Sequence, residues 1–406
     1  MKTASIIALR KGDEWKNDQE KKQTKFRERI RDLYYVHDWS RRQIARAESI
    51  SRHTVDRWTQ SPDQDCSQDK RGWKRGVRRV HSDATIKRIL TIHSALDTSQ
   101  KRFFTGATAI DQEWRRRYKS TPPPLRTIGR VLKEYGVSSP RKRQRSTGAA
   151  AYLHYPEYTI YTGLCGRVLE ADFIGRKYLT GQSEPLHFIS YSFKYKPCLR
   201  HFQRVASETA DVFISQTERF FDEFETPDFL KVDNCAATIG SNSAKRTISR
   251  VVQFLLSHHV VPIFAVPRRP FSQASIEGSN SLFARKFWNT RTFTSTKDID
   301  RQLVWFNDAI RSYHGYQTPP THKNRISFQP RILFLRQVRQ HPDAKQEGYI
   351  DILHELIRLP EAYINYFVLA VWDLEKEMVS VALERDHILH QIIEVSFCIN
   401  TKNISY

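Results

Sequence analysis

Apolar positions recur at helical spacing through the first third of the chain. In 25–60, Phe26, Ile30, Leu33 and Tyr34 predict one helix. Ser40 can cap a second helix carrying Ile44 and Ala45, Ser49 and Ile50 form a turn, and Ser51 can cap a third with Val55 and Trp58 facing in. Two short capped helices across a tight turn, the second ending in Trp, form a helix-turn-helix pattern. Residues 81–137 repeat the helical period. SDATIKRILTIHSAL is amphipathic, Ile110 and Trp114 share a face, and PPPLRTIGRVLKEYGV starts on Pro and stops at Gly.

From about residue 155 the period changes. CGRVLEADF alternates as a strand, LHFISYSFKYKP and CLRHFQRVAS read as two more, and Val212 or Phe213, Phe220 and Phe224 mark a helix. PDFLKVDN is a short buried strand, ISRVVQFLLSHH a helix, VVPIFAVP a strand, and SIEGSNSLFARKFWNT and DIDRQLVWFNDAIRSYH are helices. That order predicts a mixed sheet with helices on both faces, binding ligands at its strand ends. A basic, Pro-containing segment leads to 340. YINYFVLAVWDLEKEMVSVAL then gives two strands joined at Leu374–Glu377, and HQIIEVSF a third. The expectation is a multidomain chain: an all-α helix-turn-helix domain over 25–62, a second helical unit over 81–140, an α/β core over 155–325 and a small β-barrel over 345–400.

Charge sharpens this picture. The 406 residues carry a formal net charge of +22. Residues 1–150 hold 36 Lys and Arg against 17 Asp and Glu, whereas residues 341–406 hold 5 against 11. A basic first third is the footprint of a polyanion. Arg52, His53, Thr54, Asp56 and Arg57 fall on the early, exposed part of the third helix, where a helix-turn-helix reads base edges; the other reading is a helix bundle with a solvated face. Lys74, Arg75, Arg78 and Arg79 lie in a Gly-containing linker and could track phosphates. Arg126 and Arg130 stand one turn apart on the last helix of the second unit. PRKRQRSTGAAA is a basic linker into the core. The acidic C-terminal region favours protein contacts over phosphate contacts.

Five scattered cysteines form no C-x-x-C pair, so a zinc site is not supported, and their odd number fits reduced thiols in a cytosol. His187, His201, His258 and His259 read as surface residues, since none falls at zinc-ligand spacing. No apolar run approaches membrane-spanning length, and no signal peptide is evident.

The candidate chemistry lies in three carboxylates. Asp172 interrupts an apolar strand, where an unpaired carboxylate is costly and wants a cation or a strand end. Asp233 follows a short strand and Glu277 opens a helix, a position the helix dipole favours. Each alone has an ordinary explanation as a turn or helix-start residue. Together they match a set that holds two Mg²⁺ ions for phosphodiester displacement. Glu170 shares Asp172's face by period two and could support the site's ligands or be a solvated edge residue, the latter being the preferred reading. Asn234 could position a water or ligand, or cap a turn. Arg268 and Arg269 could hold phosphates near the metals. Asn280 and Arg285 follow Glu277 on nearly one helix face, and Cys235 reads as a packing residue.

These segments resemble the catalytic core of DDE transposases of the retroviral-integrase type found in bacterial insertion sequences. LEADF matches the family's strand-borne first Asp, Asp233-Asn234 its second, and Arg269-Pro270 precede Glu277 at the family's offset, with Asn280 three residues later. The intervals hold 60 and 43 residues. The resemblance covers roughly 155–325 well; the second helical unit and the C-terminal region match more loosely. It departs where Cys235 stands for a common Gly and Gln273-Ala274 for an Asn-Gly turn.

The resemblance implies an RNase H-like core in which Asp172, Asp233 and Glu277 bind two Mg²⁺, with Mn²⁺ able to substitute. It implies a nucleoid-associated bacterial enzyme that binds the element's terminal repeats, cleaves 3′ ends and joins them to target DNA, assembling as a homo-oligomer on double-stranded DNA. A regulator with an inactive core and an RNase H-like nuclease that cuts without joining are the alternatives.

Overall fold

The computed structural model describes residues 22–63, 81–99, 101–138, 167–193, 199–240, 245–316, 327–344 and 346–400. The lead-in before 22, the linker bearing Lys74, Arg75, Arg78 and Arg79, the PRKRQRSTGAAA segment and Cys66, Cys165 and Cys198 lie outside them. The chain divides into two compact units between Arg143 and Gln144.

In the first unit, helix α1 spans 22–35, α2 Arg41–Ala47 and α3 Arg52–Trp58. The two short helices are held at their starts by local chemistry. Ser40 and Gln43 form a reciprocal capping box, and the Ser51 hydroxyl accepts the Thr54 N–H. Ser49, at φ +53°, turns the chain between them. Ile30, Ile44, Val55 and Trp58 form the buried core. Phe26, expected on that inner face, is 37% exposed; the adjacent Arg27 takes the inner place, buried with its guanidinium 4.8 Å from the Trp58 ring. Helices α4 (Asp83–Thr98), α5 (Ala107–Arg117) and α6 (Leu125–Glu134) follow, with Leu96, Ile110, Trp114, Ile128 and Leu132 buried. Glu113 is buried among Arg116, Arg117 and Arg102, and the guanidiniums of Arg116 and Arg117 hold its carboxyl down at about 2.

The second unit is built on strands β1 (Val168–Lys177), β2 (Leu186–Phe193) and β3 (Arg200–Val205), then helix α7 (Ala210–Glu223), β4 (Phe229–Val232), α8 (Ala236–Ile239), α9 (Arg250–Ser257), β5 (Val261–Phe264), α10 (Ala274–Lys286) and α11 (Thr296–His314). Strands β6 (Arg331–Gln337), β7 (Arg339–Gln340), β8 (Glu347–Ile352), β9 (Glu355–Pro360), β10 (Phe367–Asp373), β11 (Met378–Arg385) and β12 (Ile388–Ser396) complete it. β1 pairs antiparallel with β2 and parallel with β4, and β4 pairs parallel with β5.

Period-two alternation puts helices on both faces. Tyr191 stacks on Phe220 of α7 at 4.5 Å between ring centroids, whereas Phe188, three residues earlier, meets Phe283 of α10 at 5.1 Å. Leu169, Ala171, Leu230 and Val232 belong to the core shared with α7 and α9. Glu170, Asp172 and Lys231, one residue out of phase, face α10.

The expected free-standing barrel over 345–400 is corrected by the sheet order, β12-β11-β10-β6-β5-β4-β1-β2-β3. β10–β12 continue the core sheet through β6, which hydrogen-bonds to β5, and β7–β9 form a separate three-stranded sheet. β6 lies in the basic, Pro-containing segment, for which no strand was expected. Its Arg336 is buried and donates to the carbonyls of Ala265, Leu335 and Asp351, so a charge that suggested solvent serves the interior.

Candidate active site

β1 carries Asp172 into the layer between sheet and α10. Its carboxylate Oδ2 accepts a 2.9 Å hydrogen bond from Asn280 Nδ2 on α10. Ser190, the register partner of Asp172 on β2, donates to Asn280 Oδ1 at 2.6 Å, which fixes the amide's orientation. Burial raises the Asp172 carboxyl to about 7; the neighbouring Asp233 carboxylate and, further off, Glu277 push the same way, against the Asn280 hydrogen bond. Asp233 and Glu277 therefore both lie within electrostatic reach of Asp172.

Asp233 is the first residue after β4. Its Oδ1 accepts the Cys235 N–H at 3.2 Å, and its carbonyl accepts the Thr238 hydroxyl at 2.8 Å, a local turn that holds the loop. Asn234 donates to the Ala265 carbonyl at 2.6 Å, tying this loop to the end of β5, while its Oδ1 is buried without a protein partner. The Cys235 thiol is pushed up to about 11 by burial and by Asp233, which removes the thiolate a nucleophile needs.

Glu277 sits in the first turn of α10 with an exposed side chain, its carboxyl raised by partial burial. Arg268 and Arg269 are exposed on the loop before α10, Arg268 at φ +58° and Arg269 bonded to Gln337 of β6 at 3.0 Å. Arg285 is exposed two turns along α10. Of the four histidines, His201 differs from its expected surface place. Its ring packs 5.2 Å from Phe224 and burial lowers it to about 4.

Glu170 is the residue that sequence reasoning placed wrongly. It is fully buried, faces Lys231 at 3.8 Å and accepts the Ile276 N–H at 2.8 Å. Its position on Asp172's face was readable by period two; its partners, on other elements, were not. Ser190 gave no signal at all.

Among the described residues, no three His, Cys, Asp or Glu side chains already stand close enough to grip a metal ion. The donor set nonetheless fits a hard divalent cation. It consists of carboxylate oxygens, one of them buried beside a second negative charge that a cation would relieve.

In the first unit, Arg52 and His53 are exposed on α3, with Arg57 a turn further on and its guanidinium 3.5 Å from His53 Nδ1. The Thr54 hydroxyl is engaged with Ser51 at 2.9 Å. Arg126 and Arg130 are exposed on α6, Arg130 beside Glu134 at 3.8 Å.

No protein-family model and no curated protein matches the chain. Among solved structures it is similar to a chain of a simian T-cell lymphotropic virus intasome in complex with PP2A regulatory subunit B56 gamma. That match is 11% identical, has a TM-score of 0.32 and covers 74% of this chain and 95% of the other. It is also similar to the HTLV-2 integrase catalytic core domain in complex with magnesium, in its dimeric form. That match is 13% identical, has a TM-score of 0.22 and covers 34% of this chain and 82% of the other. The reading of the site rests on its own residues and distances.

Proposed function

We propose that the chain is a DNA transposase or integrase that cleaves 3′ ends of an element and joins them to target DNA. The observation that carries this reading is the half-buried Asp172, desolvated enough to hold its carboxyl well up, oriented by Asn280 and within electrostatic reach of Asp233 and Glu277. Burying a carboxylate beside two others is costly unless a cation or proton joins them, and nothing in the packing requires it.

Asp172, Asp233 and Glu277 would hold the divalent cations, Mg²⁺ or its substitute Mn²⁺. Bound there, such ions supply Lewis-acid stabilisation of the phosphate and acidify the attacking hydroxyl. The chain's own groups set the geometry: Asn280 fixes the carboxylate plane of Asp172, the Asp233–Cys235 turn fixes the second carboxylate, and Arg268 and Arg285 are exposed cations suited to phosphate. The chemistry is two in-line displacements at phosphorus. Water attacks first and releases a 3′-OH; that 3′-OH then attacks a target phosphodiester and expels a 3′ oxygen of the target strand. Arg52, His53, Thr54 and Arg57 on α3 would read the terminal repeats, and Arg126 and Arg130 would contact DNA from α6. Acting on two ends calls for a homo-oligomer on DNA.

The test is Mg²⁺-dependent cleavage of a duplex carrying the repeats that flank the gene. Wild type should cut and then join, and Asp172→Asn, Asp233→Asn and Glu277→Gln should do neither while still binding that duplex. Retained cutting by any of the three sinks the assignment. DNA affinity of the full chain should fall with salt at a log–log slope of roughly −5 to −10.

A further inference from the structure

Behind the three carboxylates lies a second constellation with no part in the chemistry just proposed. Glu170 and Lys231 are register partners on the parallel strands β1 and β4, both side chains 0% exposed, with Nζ 3.8 Å from Oε1. Each precedes an acidic site residue by two positions on the same strand face: Glu170 before Asp172, Lys231 before Asp233. A further contact of each goes to one place. Glu170 Oε2 accepts the Ile276 N–H at 2.8 Å, and Lys231 Nζ donates to the Ser272 carbonyl. Ile276 adjoins Glu277.

The start of α10 explains why this matters. Helices α2, α3, α4, α7, α9 and α11 are each capped by a Ser or Thr immediately before their first residue. The residues before α5, α6 and α8 make no side-chain cap, and neither does Gln273 before α10. The free N–H groups of a helix start need an acceptor, and an anion there is favoured by the dipole. For α10 the acceptor is Glu170, 106 residues earlier in the chain. The strand that carries Asp172 therefore also holds the first turn of the helix that carries Glu277, and β4 holds the segment just before it through Lys231. Burying both charges costs desolvation that two apolar side chains would avoid, so the pair adds geometry more than stability.

We propose that Glu170 and Lys231 are positioning residues that set the rotation and depth of α10, and so the approach of Glu277 to Asp172 and Asp233. This rests on the reading of those three carboxylates as a divalent-cation site.

The test uses the full-length chain with Glu170→Met/Lys231→Met, which keeps volume and removes both charges together. Three quantities are measured: the melting temperature, the MnCl2 midpoint in a calorimetric titration, and hydrogen exchange at the Ile276 amide. The expected result is a folded protein whose Ile276 amide exchanges at least ~10-fold faster and whose Mn²⁺ midpoint rises about 10- to 100-fold, the usual effect of losing a group that orients metal ligands. A folded double variant with wild-type midpoint and wild-type exchange overturns the proposal. If the double variant does not fold, Glu170→Gln decides in its place, since its amide leaves Lys231 without a countercharge; unchanged midpoint and exchange there overturn the proposal as well. If wild type binds no Mn²⁺, or Asp172→Asn binds it equally well, the cation-site reading fails instead. Exchange at Ile276 then decides the positioning role alone: faster exchange supports it and unchanged exchange overturns it.

Discussion

In the Arg41–Trp58 helix pair, polar side chains meet partners three residues away: Ser40 with Gln43, Ser51 with Thr54. These groups are exposed, and each contact stays within one turn. Between β1, β4 and α10, polar side chains are buried or half-buried and meet partners far along the chain, Ser190 with Asn280 across 90 residues and Asp172 with Asn280 across 108. A local exposed contact competes with water and contributes little. A long-range buried contact has no water to fall back on, so losing one partner strands the other. The two regions should therefore respond to substitution on different scales.

The largest effect belongs to Asp172. Asp172→Asn should lower Mg²⁺-dependent strand cleavage by at least ~10²-fold, the scale on which loss of one preorganised electrostatic group is felt. Stability should move the other way. The amide keeps an oxygen for Asn280 Nδ2 and removes the repulsion from Asp233, so the metal-free melting temperature should rise. A lower melting temperature would mean that Asp172 holds the fold, and the contrast between the regions would lose its functional half.

Next comes Lys231→Met alone. It leaves Glu170 buried without its countercharge, and breaking one side of a buried pair costs about 3–5 kcal/mol. Urea unfolding should register a loss of that order, largely recovered in Glu170→Met/Lys231→Met. A single-variant loss under ~1 kcal/mol would place the pair on the exposed, local scale and erase the distinction.

The same difference of range decides what could be read from sequence. Helix starts at Ser40 and Ser51 were legible because the cap and its acceptor lie in one short window. Asp172, Asp233 and Glu277 could be placed on a strand, a strand end and a helix start from local pattern. Glu170 was read as solvated because nothing within ten residues names Lys231 or Ile276 as its partners. β6 was passed over as part of a basic, Pro-containing segment because Arg331 and Arg336 frame it with charge, yet Arg336 is buried against carbonyls. The β8–β9 hairpin was missed, and the C-terminal strands were read as a separate barrel, because pairing between β5 and β6 leaves no mark in either segment alone.

Glu113 tests an intermediate case, a buried carboxylate whose arginines are mostly one turn away. Its carboxyl is held at about 2 in the folded chain against an ordinary value near 4.5, chiefly by the hydrogen bond from Arg116. A depressed carboxyl stabilises the fold above its unfolded value and loses that contribution as pH falls toward the folded value. Glu113→Gln should therefore weaken hydrogen-exchange protection of α5 at pH 7 by about 1 kcal/mol, a modest figure because the arginines are largely solvated. The difference from wild type should shrink between pH 4.5 and pH 2. A difference that stays constant to pH 2 would assign the effect to packing.

The smallest effect belongs to the α3 cap. The Thr54 N–H donates to the Ser51 hydroxyl at 3.2 Å and to the Ser51 carbonyl at 2.9 Å, so Ser51→Ala leaves it only the carbonyl, at a cost of about 1 kcal/mol. The helix has seven residues, so its first turn makes up half its length, and that turn carries Arg52 and His53. Fraying should lower affinity for the terminal-repeat duplex about threefold and scrambled duplex less, since base contacts need a rigid presentation whereas phosphate contacts do not. Ser51→Asp restores an acceptor and adds an anion at the helix start, so exchange at the Thr54 amide should return to wild type. Its charge would also repel nearby phosphates, so the amide, rather than affinity, is the readout that isolates the cap. Exchange at Thr54 that stays slow in Ser51→Ala would show that tertiary contacts through Val55 and Trp58 hold the helix start. The exposed local region would then depend on its buried core in the way the sheet site does.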